Sequence, residues 1–134
     1  MIRYMLDTNM IAYAKNRRPI IVLHRLLVHE PSEIAVSSIT MAELEFGIQN
    51  SSRPEQNRMA LMLFMAGISI LPFDTNAAME YGDIRHKLKE QGMLIGGNDL
   101  LIAAHARSLG ITLVTHNTRE FSRVENLRIE DWAV

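Results

Sequence analysis

Three carboxylates, Asp7, Glu43 and Asp99, stand where apolar stretches of the chain give way to polar ones. Thr115-His116-Asn117, with Glu120 about a turn further on, stands at another such place. No Lys or Arg lies in the immediate segments around Asp7, Glu43 or Asp99. Gathered without a counter-charge, such groups would repel one another and lose hydration. A hard divalent cation relieves both problems, and Mg²⁺ or Mn²⁺ prefers the carboxylate and water oxygens that these segments offer. Asn117 adds an uncharged oxygen, while Thr8, Asn9 and Thr115 are suited to hold water or orient a ligand. The chemistry that fits this set is metal-assisted hydrolysis of a phosphodiester. A plainer explanation competes with it. Asp, Asn and Thr are preferred helix caps, and a carboxylate at a helix N-terminus gains about 0.3–1 kcal/mol. Taken singly, Asp7, Glu43, Asp99 and Asn117 are better explained as caps than as ligands. Only convergence at one place favours chemistry, and spacing alone leaves the two evenly balanced.

The elements that must position these residues follow from periodicity. Arg3 to Leu6 is a short apolar run ending at Asp7-Thr8-Asn9, a first strand followed by a short helix over residues 9–14. Pro19 sits near the start of a second helix that reaches about His29, and Ile34 to Ser37 forms the second strand. Thr40 has the type of an N-cap and Glu43 the capping-box position after it, opening a helix to about Gln49. Pro54 starts a helix reaching Ala66, and Ile68 to Phe73 is the third strand. Thr75 caps a helix that places Ala77, Tyr81, Ile84 and Leu88 on one face and stops at Gly92. Gly96-Gly97-Asn98-Asp99 opens a helix, Leu100 to Leu109, that is apolar nearly all round and therefore buried. Ile111 to Val114 is the fourth strand, and Leu127 to Ile129 a fifth. Strands alternating with helices imply a mostly parallel central sheet of four to five strands flanked by helices, a single α/β domain over residues 1–134. In such a sheet the ligand site lies outside the carboxyl ends of the strands, where these acids fall.

Composition narrows the alternatives. Of 134 residues 48% are hydrophobic and 22% charged, which excludes a disordered chain. The net charge of −1 gives no overall basic field, although most of its cations are Arg, the better partner for phosphate. With no cysteine, disulfides, thiolate catalysis and Cys-ligated metals are excluded. Asp7 interrupts the N-terminus before a signal peptide can develop, and the longest apolar stretch, Ala60 to Phe73, is too short to span a membrane. The expectation is a soluble, cytoplasmic protein. No P-loop or G-x-G-x-x-G pattern occurs. Asn9 and the absence of any Lys after Lys89 argue against phosphoaspartate chemistry of the dehalogenase or receiver type.

Four segments together resemble the PIN-domain family, and more closely the VapC-type toxins of bacterial toxin–antitoxin pairs. They are Met5-Leu6-Asp7-Thr8-Asn9, Ser38 to Leu44, Gly96 to Ala106 and Val114 to Phe121, with a similar ending at Ile129-Glu130-Asp131-Trp132. The resemblance implies a Mg²⁺-dependent endoribonuclease, with Mn²⁺ able to substitute, held inactive by a VapB-type antitoxin. It implies an RNA substrate, often tRNA and in the most similar members initiator tRNA, and assembly as a homodimer within a larger complex. Asp7, Glu43 and Asp99 match the family's three main acidic positions. The fourth, often Asp, is Asn117 here, with Glu120 as the nearby substitute, which puts a second metal in doubt. Carried over, Asp7 and Asp99 hold the metal, and Glu43 binds it directly or through water and takes the nucleophile's proton. Asn117 and Thr115 position water.

Other residues invite roles that bland explanations also cover. His105, inside the apolar helix, reads as a core or interface histidine, and His116 as a solvent-facing one. Arg17, Arg18, Arg53, Arg85, Lys87 and Lys89 are candidates for RNA phosphates, although Asp83 and Lys87 also make an ordinary i,i+4 pair. With only three Tyr, four Phe and one Trp, several of them needed for the core, base stacking is not expected to dominate binding. Met59, Met62 and Met65 lie on a helix apolar over more than half its circumference, so part of it faces the core and part is free for a second copy or the antitoxin. An antitoxin Arg reaching the acids would account for inhibition. The contrasting possibility is a catalytically inert PIN-like module that binds RNA or a partner and uses its acids as caps.

Overall fold

The computed structural model describes residues 1–134. Tyr4–Leu6 forms β1, and the buried Asp7 ends it by turning the chain into α1 (Thr8–Asn16). Next come α2 (Ile20–Leu27), a single 3-10 turn at Pro31–Glu33, β2 (Ile34–Ser37), α3 (Ser38–Gln49) and α4 (Pro54–Phe64). The rest of the chain forms β3 (Ser69–Leu71), α5 (Thr75–Glu90), α6 (Gly97–Leu109), β4 (Thr112–Val114), the short α7 (Thr118–Phe121) and β5 (Ile129–Glu130). No helix is long and apolar enough to cross a membrane.

The sheet runs β3-β2-β1-β4-β5, and every pairing is parallel. The chain winds outward from β1 through β2 to β3, then crosses back to lay β4 on the other side of β1. That reversal leaves a crevice where β1 and β4 end together, Leu6 opposite Val114. The Asp7 N–H extends the pairing by donating to the Val114 carbonyl at 3.1 Å.

Successive strand residues point to opposite faces, which gives the sheet two cores. Leu6, Ile34, Val36 and Val114 pack with Met10, Ile11, Val22 and Trp132 on one side. Met5 and Leu113 pack with Ile84, Ile102 and Phe121 on the other. The inner residues of α6 are buried almost without interruption from Ile102 to Ala106, in accord with its apolar sequence.

Two expected caps are displaced. Thr40 is buried within α3, and the cap is Ser37, whose hydroxyl accepts from the Ile39 N–H at 3.0 Å; Glu43 therefore lies inside the helix and closes no capping box. Likewise Asp74, not Thr75, caps α5 by accepting from Ala77 N–H at 3.0 Å. In both places an earlier residue with a suitable oxygen ends the extended segment first. On α4 only Leu61 is buried and Phe64 half-buried, while Met59, Met62 and Leu63 face outward.

His105 ties the two halves of the sheet end together. It is buried on α6, with Nδ1 2.7 Å from Ser37 Oγ and its ring edge-on to Phe73. Because Ser37 Oγ already accepts from Ile39, its own O–H is available to donate to an unprotonated Nδ1. Burial holds the His105 pKa below the ordinary histidine value, with Asp74 opposing. Below about pH 6.5 the unfolded chain takes up a proton that the folded one refuses, so this residue's contribution to stability declines with acid. Urea denaturation of wild type and His105→Asn should show a stability difference that narrows as pH falls below about 6.5. A difference that stays constant with pH would contradict the neutral, buried assignment.

Candidate active site

At the mouth of the β1/β4 crevice the structure brings together side chains from α1, α3, α6 and the turn after β4. Asp7, only 6% exposed, serves as a cap while keeping oxygen capacity for the crevice: Oδ1 accepts from the Met10 N–H at 2.9 Å. Capping and ligation are thus compatible for this residue. Burial pushes the Asp7 pKa up; hydrogen bonds from Thr115 and Met10 oppose the shift, and the charges of Glu43 and Asp131 add to it. Thr115, itself fully buried, also accepts from the Asn117 N–H at 3.0 Å, fixing the turn that follows β4.

Glu43 projects from α3 and is held by two neighbours. The Thr8 hydroxyl donates to its Oε1 at 2.5 Å, and Asn98 Nδ2 donates to its Oε2 at 3.2 Å. One carboxylate thereby joins the starts of α1 and α6 to α3. Asp99 lies in the first turn of α6, where the helix dipole favours a negative charge. Its pKa is nevertheless raised to about 6, by burial first and then by the charges of Glu120, Asp7 and Glu43. Of these charges that of Glu120 acts most on Asp99, so Glu120 lies within electrostatic reach of it. Asn117 is the residue before α7 and caps that helix only through its backbone, without a side-chain hydrogen bond.

No Lys or Arg forms an ion pair with Asp7, Glu43, Asp99 or Glu120. No three of these side chains are closed into a ready-made coordination group. An all-oxygen, uncompensated donor set fits a hard divalent cation better than a soft one.

His116 is half-exposed, with Nδ1 2.9 Å from Asp131 Oδ2 and its ring edge-on to Tyr13. The cations named from sequence lie elsewhere or are otherwise engaged. Lys87 pairs with Asp83 at 3.2 Å, Arg85 donates to the Tyr81 hydroxyl, and Arg53 contacts Gln56. Arg17 forms the left-handed end of α1, and Arg18 and Lys89 are exposed. Sequence reasoning passed over Lys15, which lines a cleft of about 450 Å³ together with Thr8 and Glu43. The signal was its spacing from Thr8 along α1, two helical turns on the same face.

The match to known proteins agrees with this geometry. The PIN domain model matches residues 4–127, and the chain belongs to the PIN-domain family. Divalent-metal dependence is general among PIN-domain ribonucleases. The chain is 46% identical to "Ribonuclease VapC2" of Haemophilus influenzae, over 98% of this chain and 99% of that protein. It is 41% identical to "tRNA(fMet)-specific endonuclease VapC" of Shigella flexneri, over 99% and 100% of the two chains. DNA-bound VapBC from Salmonella typhimurium contains a chain that superposes with a TM-score of 0.92 at 39% identity, covering 98% of this chain and 99% of that one.

The raised pKa of Asp99 makes a stability prediction. Between the ordinary carboxylate value of 3.8 and about 6 the folded chain holds a proton that the unfolded chain releases, so the ionised group destabilises the fold at neutral pH. With metal removed by a chelator, Asp99→Asn should gain about 1 kcal/mol at neutral pH, a figure discounted for partial exposure. The gain should fade toward pH 4, as followed by thermal denaturation. A loss of stability at neutral pH would show that the crowding is relieved in some other way.

Proposed function

We propose that residues 1–134 act as one ribonuclease domain, the toxin of a toxin–antitoxin pair, which hydrolyses phosphodiesters of RNA with Mg²⁺ as cofactor and Mn²⁺ able to replace it. The observation that carries this reading is the set of carboxylates crowded at the β1/β4 crevice with no basic partner, two of them with raised pKa values. An arrangement that costs stability unless a cation is present has a chemical use when that cation arrives. The names of the relatives support the class of reaction, and the Shigella flexneri relative supports tRNA, initiator tRNA in particular, as substrate. The Salmonella typhimurium VapBC assembly supports a VapB-type antitoxin as partner, and we infer from the family resemblance that toxin copies pair within the larger complex. A cytoplasmic setting, where tRNA lies, accords with this role.

When bound, a divalent cation supplies a Lewis acid that activates water and offsets charge on the phosphate. The chain's own groups do the rest. Asp7 and Asp99 present the ligand oxygens, and Thr115 keeps Asp7 oriented. Glu43, fixed by Thr8 and Asn98, would take the proton of the attacking water or share in ligation. Asn117 would position water, and Glu120 stands near as the substitute for the fourth acid. Attack by water, with no part for the neighbouring 2′-hydroxyl, leaves a 5′-phosphate and a 3′-hydroxyl.

Asp7→Asn keeps a side chain able to cap α1 through its amide oxygen, so the fold should survive. Cleavage of an initiator tRNA transcript should fall by at least about a hundredfold, the scale of several kcal/mol of lost transition-state stabilisation. Mg²⁺ at about a hundred times its Kd should stabilise wild type by about 2.7 kcal/mol and the variant much less. Cleavage retained in a clean Asp7→Asn preparation, or products ending in a 2′,3′-cyclic phosphate, would defeat the mechanism.

A further inference from the structure

From the cleft beside the acids we infer that Lys15 binds a backbone phosphate of the RNA strand next to the cleaved bond, which makes the α1/α3/α4 cleft the track of the substrate strand. This inference rests on the ribonuclease reading above.

The first support is continuity. Thr8 and Glu43, which are hydrogen-bonded to each other, form one end of the cleft, and Lys15 lines the same cavity. Thr8 and Lys15 are seven residues apart on α1, about 10 Å along the helix. A strand with its reacting phosphate at Glu43 would carry neighbouring phosphates past Lys15.

Charge is the second support. The crevice holds Asp7, Glu43, Asp99 and Glu120 without a basic partner, so a polyanion approaching it is repelled unless cations flank its path. Lys15 lines the cavity while belonging to no ion pair. The Lys15 ammonium makes no hydrogen bond to the end of α1, where the carbonyls of Tyr13 and Ala14 accept from the backbone N–H of Arg17. Lysine in a last turn complements the helix dipole by about 0.3–1 kcal/mol, a contribution that leaves its ammonium free to meet a phosphate as well.

The third support is the lining. Asn16 and Asn57 provide neutral hydrogen-bonding groups at the rim, while Ala12, Leu44 and Ile48 line the apolar part. Asn57 spends its amide on Ser51 Oγ at 2.9 Å and keeps its carbonyl oxygen for a donor such as a ribose hydroxyl. About 450 Å³ with this mixture of polar rim and apolar wall suits a strand of nucleotides, in which phosphate, sugar and base face different groups.

The test measures binding of an initiator tRNA transcript to full-length Asp7→Asn protein, with Lys15 intact or changed to Ala, Glu or Arg, over a range of salt concentrations. Lys15→Ala should weaken binding by about three- to tenfold and lower the slope of log K against log salt by about one, the signature of one lost phosphate contact. Lys15→Glu should weaken it further, and Lys15→Arg should restore it. Lys89→Glu, on the exposed end of α5, makes the same change in net charge and should have a much smaller effect. Equal losses in Lys15→Glu and Lys89→Glu would assign the effect to the general field and overturn the contact. Unchanged RNA affinity in Lys15→Glu would overturn it as well, including the case where that variant instead loses a protein partner. Failure of the ribonuclease reading shows separately, as wild type that leaves the transcript uncut with Mg²⁺ present.

Discussion

Repulsion among carboxylates that share one end of one sheet is the constraint around which this molecule is organised. Parallel strands with helical crossovers deliver the residue after each strand to the same edge, and the reversal of winding at β1 opens a crevice there. Into that crevice the chain puts acids and no base. A fold selected for stability alone would place an Arg among them, as it does at Arg107, which is largely buried and bonds both Glu80 and Asp83 between α5 and α6. The contrast between these two acidic clusters is informative. One is neutralised and structural, with Asp83 held below the ordinary carboxylate value; the other is left uncompensated, and its Asp7 and Asp99 hold their protons more tightly than isolated carboxyls do.

The strain of that crowding is contained by neutral hydrogen bonds. Thr8 and Asn98 hold the two oxygens of Glu43, so α1, α3 and α6 cannot separate without breaking them. Beneath them the Ser37–His105 contact joins the start of α3 to the middle of α6. Threonine, serine, asparagine and a neutral histidine fix positions without cancelling charge. A lysine or arginine in any of these places would stabilise the fold but reduce the affinity of the site for a cation.

Most of the architecture was legible in the chain, for a simple reason. The strands are short apolar runs bounded by polar residues, and the helices between them carry clear starts and stops, such as Pro54 and Gly110. The caps were harder. Ser-or-Thr followed three residues later by Glu picks out Thr40 by local spacing, but the strand pairing that ends β2 at Ser37 is set by β1 and β3, which the local pattern does not contain. The same limit hid the Thr8–Glu43 bond, made across 35 positions of sequence. Asp7 was posed as either cap or ligand; the structure shows the cap, made through Oδ1 alone, which does not exclude ligation by the carboxylate. On α4, composition showed an excess of apolar surface; which residues face outward depended on how the helix lies against α3 and the sheet.

Cation placement completes the picture. Arg3 pairs with Glu33, Arg58 with Glu45, Arg107 with Glu80 and Asp83, and Lys87 with Asp83, all on acids outside the crevice. These pairings fix the outer helices and consume basic charge that would otherwise offset the crevice at long range. With a net charge of only −1 over the chain, the negative potential is therefore local to the crevice and not a property of the whole surface. A small cation is drawn to such a focus from any direction, whereas an RNA strand is repelled there and must be held by contacts a short distance away. On the reading proposed above, the two ligands would be separated by size and sign: the cation concentrated at the acids, and the RNA strand anchored beside them.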